Sequence, residues 1–375
     1  MKNVFKKVAA AVLAVTTMAT AAFSLASCGG KGDKTSFMLG ATGPLTGDYA
    51  SYGVSVKNGA QLAVEEYNKK GGIQLSFKIL DDQGGADDAS ANYDVLYDDG
   101  MQLSLGGVTS GAGEAFAKKA NADKIFCMTP SGSADAVIKG MDYSFRLCFG
   151  DPDQGALAAE NIVNNTAYAT VGALYNNTDS YSSGIYDAFK TKMAALNKAY
   201  TETTFDNENN TDFSTQAEAL KDCDVIFMPF YYQEASLFMK AAVQKGFDGV
   251  FFGCDGFDGI ASYIEGITNK IMYITPFDVN SEEANVKSFV AAYEAKYGSK
   301  PDQFAADAYD VVMVIAAALE KAGITDYELS AEEVSEAVKN AVLSSDFSYT
   351  GLTGNGMTWT ADGKCSKAPK IVEFN

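Results

Sequence analysis

The 375-residue chain contains no histidine. That absence excludes Ser-His-Asp and Cys-His catalysis and every zinc or copper site ligated by imidazole. Cysteine is sparse. Cys28, Cys127, Cys148, Cys223, Cys254 and Cys365 show no Cys-X-X-Cys spacing, so a metal cage has no support and no pairing scheme can be deduced. GKS and GKT phosphate loops are missing. After residue 23, no stretch approaches the roughly 20 apolar residues of a membrane span. Positive charge is also short: 29 Lys and Arg stand against 48 Asp and Glu, a net charge of −19. So acidic a surface repels nucleic acid and anionic lipid, which leaves small molecules and basic protein patches as partners. No metal, cofactor or nucleic acid is expected, and the chain is expected to act as a monomer.

The length suits two domains. At the start, Lys2, Lys6 and Lys7 precede an apolar, Ala-rich stretch over residues 8–23, and Leu25-Ala26-Ser27-Cys28 resembles a bacterial lipobox. The expectation is a signal peptide over 1–27, lipidation of Cys28 after cleavage, and a flexible tether over 28–34. The remainder is then a soluble domain held by its lipid at the outer face of a membrane. Cleavage removes three lysines and no acid, which makes the mature part still more acidic.

Short apolar runs alternate with helical patterns, the mark of parallel sheets built from βαβ units. Strands are expected over 37–41, 75–80, 103–105 and 124–128, with helices between them. From Asp151 the series begins again, with strands over 170–175, 225–228, 250–253 and 271–275. Helices follow over 283–297, 304–321 and 331–342, and the turn signals Gly354-Asn355-Gly356 and Asp362-Gly363 announce a β-rich tail.

The turn "VTSGAG", residues 108–113, follows the third strand. Phe116 stands where a dinucleotide fingerprint needs its third small residue, and a nucleophile elbow would need a histidine base. What is left is Ser110 at the helix N-cap position, with Gly111 admitting a ligand to the free backbone N–H groups, a site that favours a carboxylate. The next strand ends in a second small polar turn, Ser131-Gly132-Ser133, and neighbouring strand ends in a parallel sheet open into one crevice. Asp81 and Asp82 lack the alternating ligands of a calcium loop, and as neighbours on a strand they point to opposite faces, which makes no acid/base pair.

Residues 37–72, "FMLGATGPLTGDYASYGVSVKNGAQLAVEEYNKKGG", resemble the start of the branched-chain amino-acid binding proteins of ABC importers. The resemblance continues in order through "LGGVTSGAG", "MTPSGS", "TDSYSSG", "FYYQEA", "FGCDG" and "FAADAYD". It implies an α/β, type I periplasmic-binding-protein fold: two doubly wound parallel-sheet lobes joined by three crossovers around a ligand cleft. The N-lobe is then expected over 35–150 plus 278–348, and the C-lobe over 151–277 plus 349–375. The resemblance implies that Ser110 and the turn holding Ser131 and Ser133 grip a ligand carboxylate, and that Asp255 meets its ammonium. Tyr52, Tyr181, Tyr231 and Phe304 would line the pocket, with Val108 and Thr109 as its apolar wall.

Two departures qualify the match. Family members commonly carry an acid one methylene longer where Asp255 stands, and the second cysteine of a disulfide found in some members falls at Thr109. The expected role is capture of a small amino acid, branched-chain or similar, by lobe closure and delivery to a membrane permease, without catalysis. The abundance of tyrosine leaves open a short amide, urea or aromatic acid as ligand, and a sensory module serving a membrane receptor is the other alternative.

Overall fold

The computed structural model describes residues 34–374. The expected signal peptide, Cys28 and all but the last residue of the tether lie outside the described residues.

The first lobe holds β1 (Phe37–Gly43), β2 (Leu75–Asp81), β3 (Leu103–Gly107), β4 (Cys127–Thr129) and β5 (Ser144–Arg146), all parallel in the order β2-β1-β3-β4-β5. Helices α1 (Ala50–Asn68), α2 (Ala86–Asp98) and α3 (Ser110–Ala122) link the first four strands. The chain then crosses to the second lobe, beginning with α4 (Asp151–Asn164). Its strands β6 (Val171–Asn176), β7 (Thr201–Phe205), β8 (Val225–Met228), β9 (Val250–Gly253) and β10 (Ile271–Thr275) repeat the same winding, with α5 (Ser180–Ala195), α6 (Ser214–Leu220) and α7 (Tyr232–Gln244) between them. Strand β11 (Lys370–Phe374) adds to β10, giving the order β11-β10-β9-β8-β6-β7.

Strands buried on both faces must be apolar throughout, and β8 (VIFM) and β9 (VFFG) are. Helix α8 (Ala284–Tyr297), α9 (Gln303–Ala322) and α10 (Ala331–Val342) follow β10. Helix α9 is apolar almost all round and lies buried. It packs on α1 closely enough that a Cβ at Gly59 would sit 2.0 Å from the Ala305 carbonyl oxygen, so glycine is required there.

Several expectations shift in detail. Strand β4 begins at Cys127 rather than at 124 because Lys124 has φ of +57°, which closes the end of α3 before the strand starts. Strands β5 and β7 and helix α6 were not foreseen: β5 has three residues, β7 (TETTF) is a largely polar edge, and α6 spans two turns. The tail supplies one strand, β11, which runs antiparallel to β10, together with isolated bridges Tyr349–Met357 and Trp359–Cys365. Around Gly363 the tail lies on the edge of the first sheet, where Gly363 accepts a hydrogen bond from Arg146 N. The buried Lys367 ammonium pairs with Asp307 of α9 at 2.6 Å and donates to Thr353, fastening the tail to the helix. Cys127, Cys148, Cys223, Cys254 and Cys365 are all unpaired.

Candidate functional site

In each sheet the strand order reverses beside the first strand of its series, β1 or β6, and crevices form outside the carboxyl ends of strands at such points. Thr109 and Ser110 follow β3, and Ser131 follows β4. From the other lobe, Tyr181 follows β6, Tyr231 follows β8 and Asp255 follows β9. These residues meet. Tyr52, Val108, Thr109, Ser110, Ser131, Tyr181, Tyr231, Asp255 and Phe304 line one cavity with Gly256, so nine of the ten expected residues converge. Its volume is about 10 Å³, near that of a single water.

Asp255 is buried, and its Oδ1 accepts hydrogen bonds from the Tyr181 hydroxyl at 2.6 Å and from Gln154 Nε2 at 3.0 Å. The Gln154 carbonyl accepts in return from Asp255 N, and Gln303 Nε2 donates to the Asp255 carbonyl at 2.6 Å. Burial pushes the Asp255 carboxyl up to about 6, against the hydrogen bonds from Tyr181 and Gln154 that favour its charged form. The aromatic lining is packed: Tyr181 stacks on Tyr231 with centroids 4.7 Å apart, and Tyr52 lies 4.3 Å from Phe304.

The serine turns differ in detail from expectation. Thr109, not Ser110, holds the N-cap position of α3, and no side chain caps that helix. The Ser110 hydroxyl instead accepts from Ala134 N at 3.2 Å, tying the two turns together. The Ser131 hydroxyl donates to the Val108 carbonyl at 2.7 Å. Ser133 is the one expected residue that does not line the cavity. Its carbonyl accepts from Asp151 N and from Arg146 Nη1 at 2.7 Å, which holds this end of the turn against the crossover. Arg146, the only arginine of the chain, therefore provides a fixed cation behind these turns. A Cβ at Gly150 would stand 2.1 Å from its guanidinium, which explains the glycine.

The lobes are bonded across the cleft. The Tyr49 hydroxyl donates to Glu234 Oε1 at 2.6 Å, the Tyr232 hydroxyl to the Asp48 carbonyl at 2.7 Å, and the Tyr52 hydroxyl to the Gly256 carbonyl. Asp81 anchors the loop that leads to Tyr49 by accepting from Leu45 N at 2.8 Å. Sequence reasoning missed Gln154, Gln303, Tyr49 and Glu234. Each acts through a partner more than a hundred residues away, or nearly fifty for Gln303, and no local pattern encodes such a pairing.

Two doubly wound lobes closing on a cleft of serine hydroxyls, tyrosines and one buried carboxylate define a solute-binding protein. The model of the family described as periplasmic binding protein matches residues 37–375, and the chain belongs to that family. Leu/Ile/Val-binding protein homolog 3 of Brucella melitensis is 28% identical over 327 residues, covering 84% of this chain and 87% of the relative. The branched-chain amino-acid transporter substrate-binding protein LivJ of Streptococcus pneumoniae, solved in complex with isoleucine, superposes with a TM-score of 0.80 at 27% identity over 91% of this chain and 96% of its own. A solute-binding protein of an ABC transporter from R. palustris, solved with benzoate, gives the same TM-score at 19% identity over 91% of this chain and 93% of its own, which bears on fold alone. The chain is thus a substrate-binding protein of the type that serves ABC importers, and its family acts outside the cytoplasm by binding solutes.

Proposed function

We propose that this protein captures a small α-amino acid, branched-chain or similar, and delivers it to an ABC permease, with Cys28 lipidated after removal of residues 1–27 and the lipid as its anchor. The reading divides the chain into an N-lobe over 35–150 plus 278–348 and a C-lobe over 151–277 plus 349–375, working as a monomer without catalysis. Ser110, Ser131 and the turn reaching Ser133 hold the carboxylate, with the N-terminus of α3 behind them. Asp255 meets the ammonium, and Tyr52, Tyr181, Tyr231, Phe304, Val108 and Thr109 enclose the rest. What supports this is the convergence of nine expected residues on one cavity between the two lobes. A zwitterion needs donors at one end and an acid at the other, and only the closed cleft offers both. The cavity is too small for an amino acid as it stands, so entry requires the lobes to part and the Tyr181–Tyr231 stack to shift.

The test is calorimetric titration with the common amino acids on the wild type, Ser110→Ala and Asp255→Ala. Loss of affinity in both variants is expected. Wild-type affinity in either removes that residue from the site, and a true ligand lacking an amino group turns the reading to an aromatic acid or amide. Mass spectrometry of the mature N-terminus, with Cys28→Ser as control, tests the lipid.

A further inference from the structure

Beside the small cavity lies a second of about 220 Å³, and the two share Thr109 and Tyr231. A ligand side chain that extends past Thr109 and Tyr231 reaches the second. The lining there is not aliphatic. Glu234, 4% exposed at the start of α7, points Oε1 at the Tyr49 hydroxyl and at Asn210 Nδ2, 3.4 Å away, while its Oε2 has no hydrogen-bond partner. Asp179 lines the same cavity from the other side, capping α5 by accepting from Ser182 N at 2.9 Å. The buried Thr109 hydroxyl on the shared wall is also unpartnered.

Burial pushes the Glu234 carboxyl up, and the negative charges of Asp179 and Asp48 add to that push. A buried carboxylate such as Glu234 is costly without a cationic partner, and the half-buried Asp179 on the same cavity repels it. An aliphatic side chain lodged here strips water from both acids and returns nothing, whereas a cation pairs with both. The remaining walls suit a cation too. Tyr49 and Tyr231 meet edge to face at 4.9 Å and Phe205 and Phe230 at 5.0 Å, and aromatic rings attract ammonium and guanidinium groups.

We infer that this second cavity receives a cationic group at the end of the ligand's side chain, an ammonium or guanidinium held between Glu234 and Asp179. The preferred ligand is then a basic amino acid rather than leucine, isoleucine or valine. The inference rests on the amino-acid reading of the neighbouring site: the α-carboxylate and α-ammonium occupy the Ser110 and Asp255 end, and the side chain passes Thr109 and Tyr231.

The experiment is calorimetric titration of the full chain, stripped by unfolding and refolding, with lysine, arginine, norleucine and leucine. Norleucine matches the lysine side chain without its charge. Lysine or arginine should bind at least about 30-fold more tightly than norleucine, the scale of one buried hydrogen bond to a charged group. Glu234→Gln should shrink that ratio to about threefold or less, because it removes the charge and keeps an acceptor for Tyr49. The ratio within one variant is insensitive to partial misfolding. Norleucine or leucine binding as tightly as lysine in the wild type overturns the inference and leaves the amino-acid reading standing. Failure of every α-amino acid, with benzoate or urea binding instead, removes that reading and the inference with it.

Discussion

Replacing Asp255 by asparagine should strengthen the fold and weaken the site at neutral pH, and the two effects follow from one number. Burial raises the Asp255 carboxyl from 3.8 to about 6. The folded chain therefore binds a proton that the unfolded chain has released between about pH 4 and 6. Stability falls as pH rises through that window, and the penalty persists above it. Two pKa units at 1.36 kcal/mol each amount to about 3 kcal/mol. Asparagine keeps an acceptor for Tyr181 and Gln154 but adds an amide donor without a partner, at a cost of about 1–2 kcal/mol. At pH 4 the variant should accordingly be less stable than the wild type by that cost. At pH 7.5 it should be more stable by about 1–2 kcal/mol. The difference between the two pH values, about 2.5 kcal/mol because the unfolded carboxyl is already partly ionised at pH 4, does not depend on the amide penalty. Denaturant unfolding of both proteins at the two pH values measures it, and calorimetry at pH 7.5 should show loss of ammonium-bearing ligands. A stability difference that does not change with pH refutes the reasoning about Asp255.

Three further outcomes follow. Ser110→Ala should weaken ligand binding about 10–100-fold by calorimetry, since it removes the donor proposed for the ligand carboxylate and the acceptor of Ala134 N. Lys367→Met should lower unfolding stability by about 3–5 kcal/mol by leaving Asp307 buried without its cation, and adding Asp307→Leu should recover most of that loss. Gly59→Ala should cost about 1–3 kcal/mol in denaturant unfolding, because its Cβ would overlap the Ala305 carbonyl and push α9 from α1.

The fold was legible because its signals are local and strong. Continuous apolar strands such as VIFM and VFFG, alternating with amphipathic helices, admit little besides a parallel sheet. The pieces that escaped notice, β5, β7 and α6, are short or polar and take their form from neighbours already in place. The site was legible where strand ends carry it, as at Ser110, Ser131, Tyr231 and Asp255. It was not legible where a distant residue completes it. Gln154 reaches Asp255 from the first turn of α4, Glu234 meets Tyr49 across the cleft, and Arg146 holds the Ser133 carbonyl. Those partnerships belong to the packed chain.

Mass spectrometry of the small molecule released when the purified protein is unfolded tests the central claim most directly. A compound bearing both an α-amino group and an α-carboxylate is predicted, one that Asp255→Asn no longer retains. A released ligand without an amino group, retained equally by Asp255→Asn, contradicts the account.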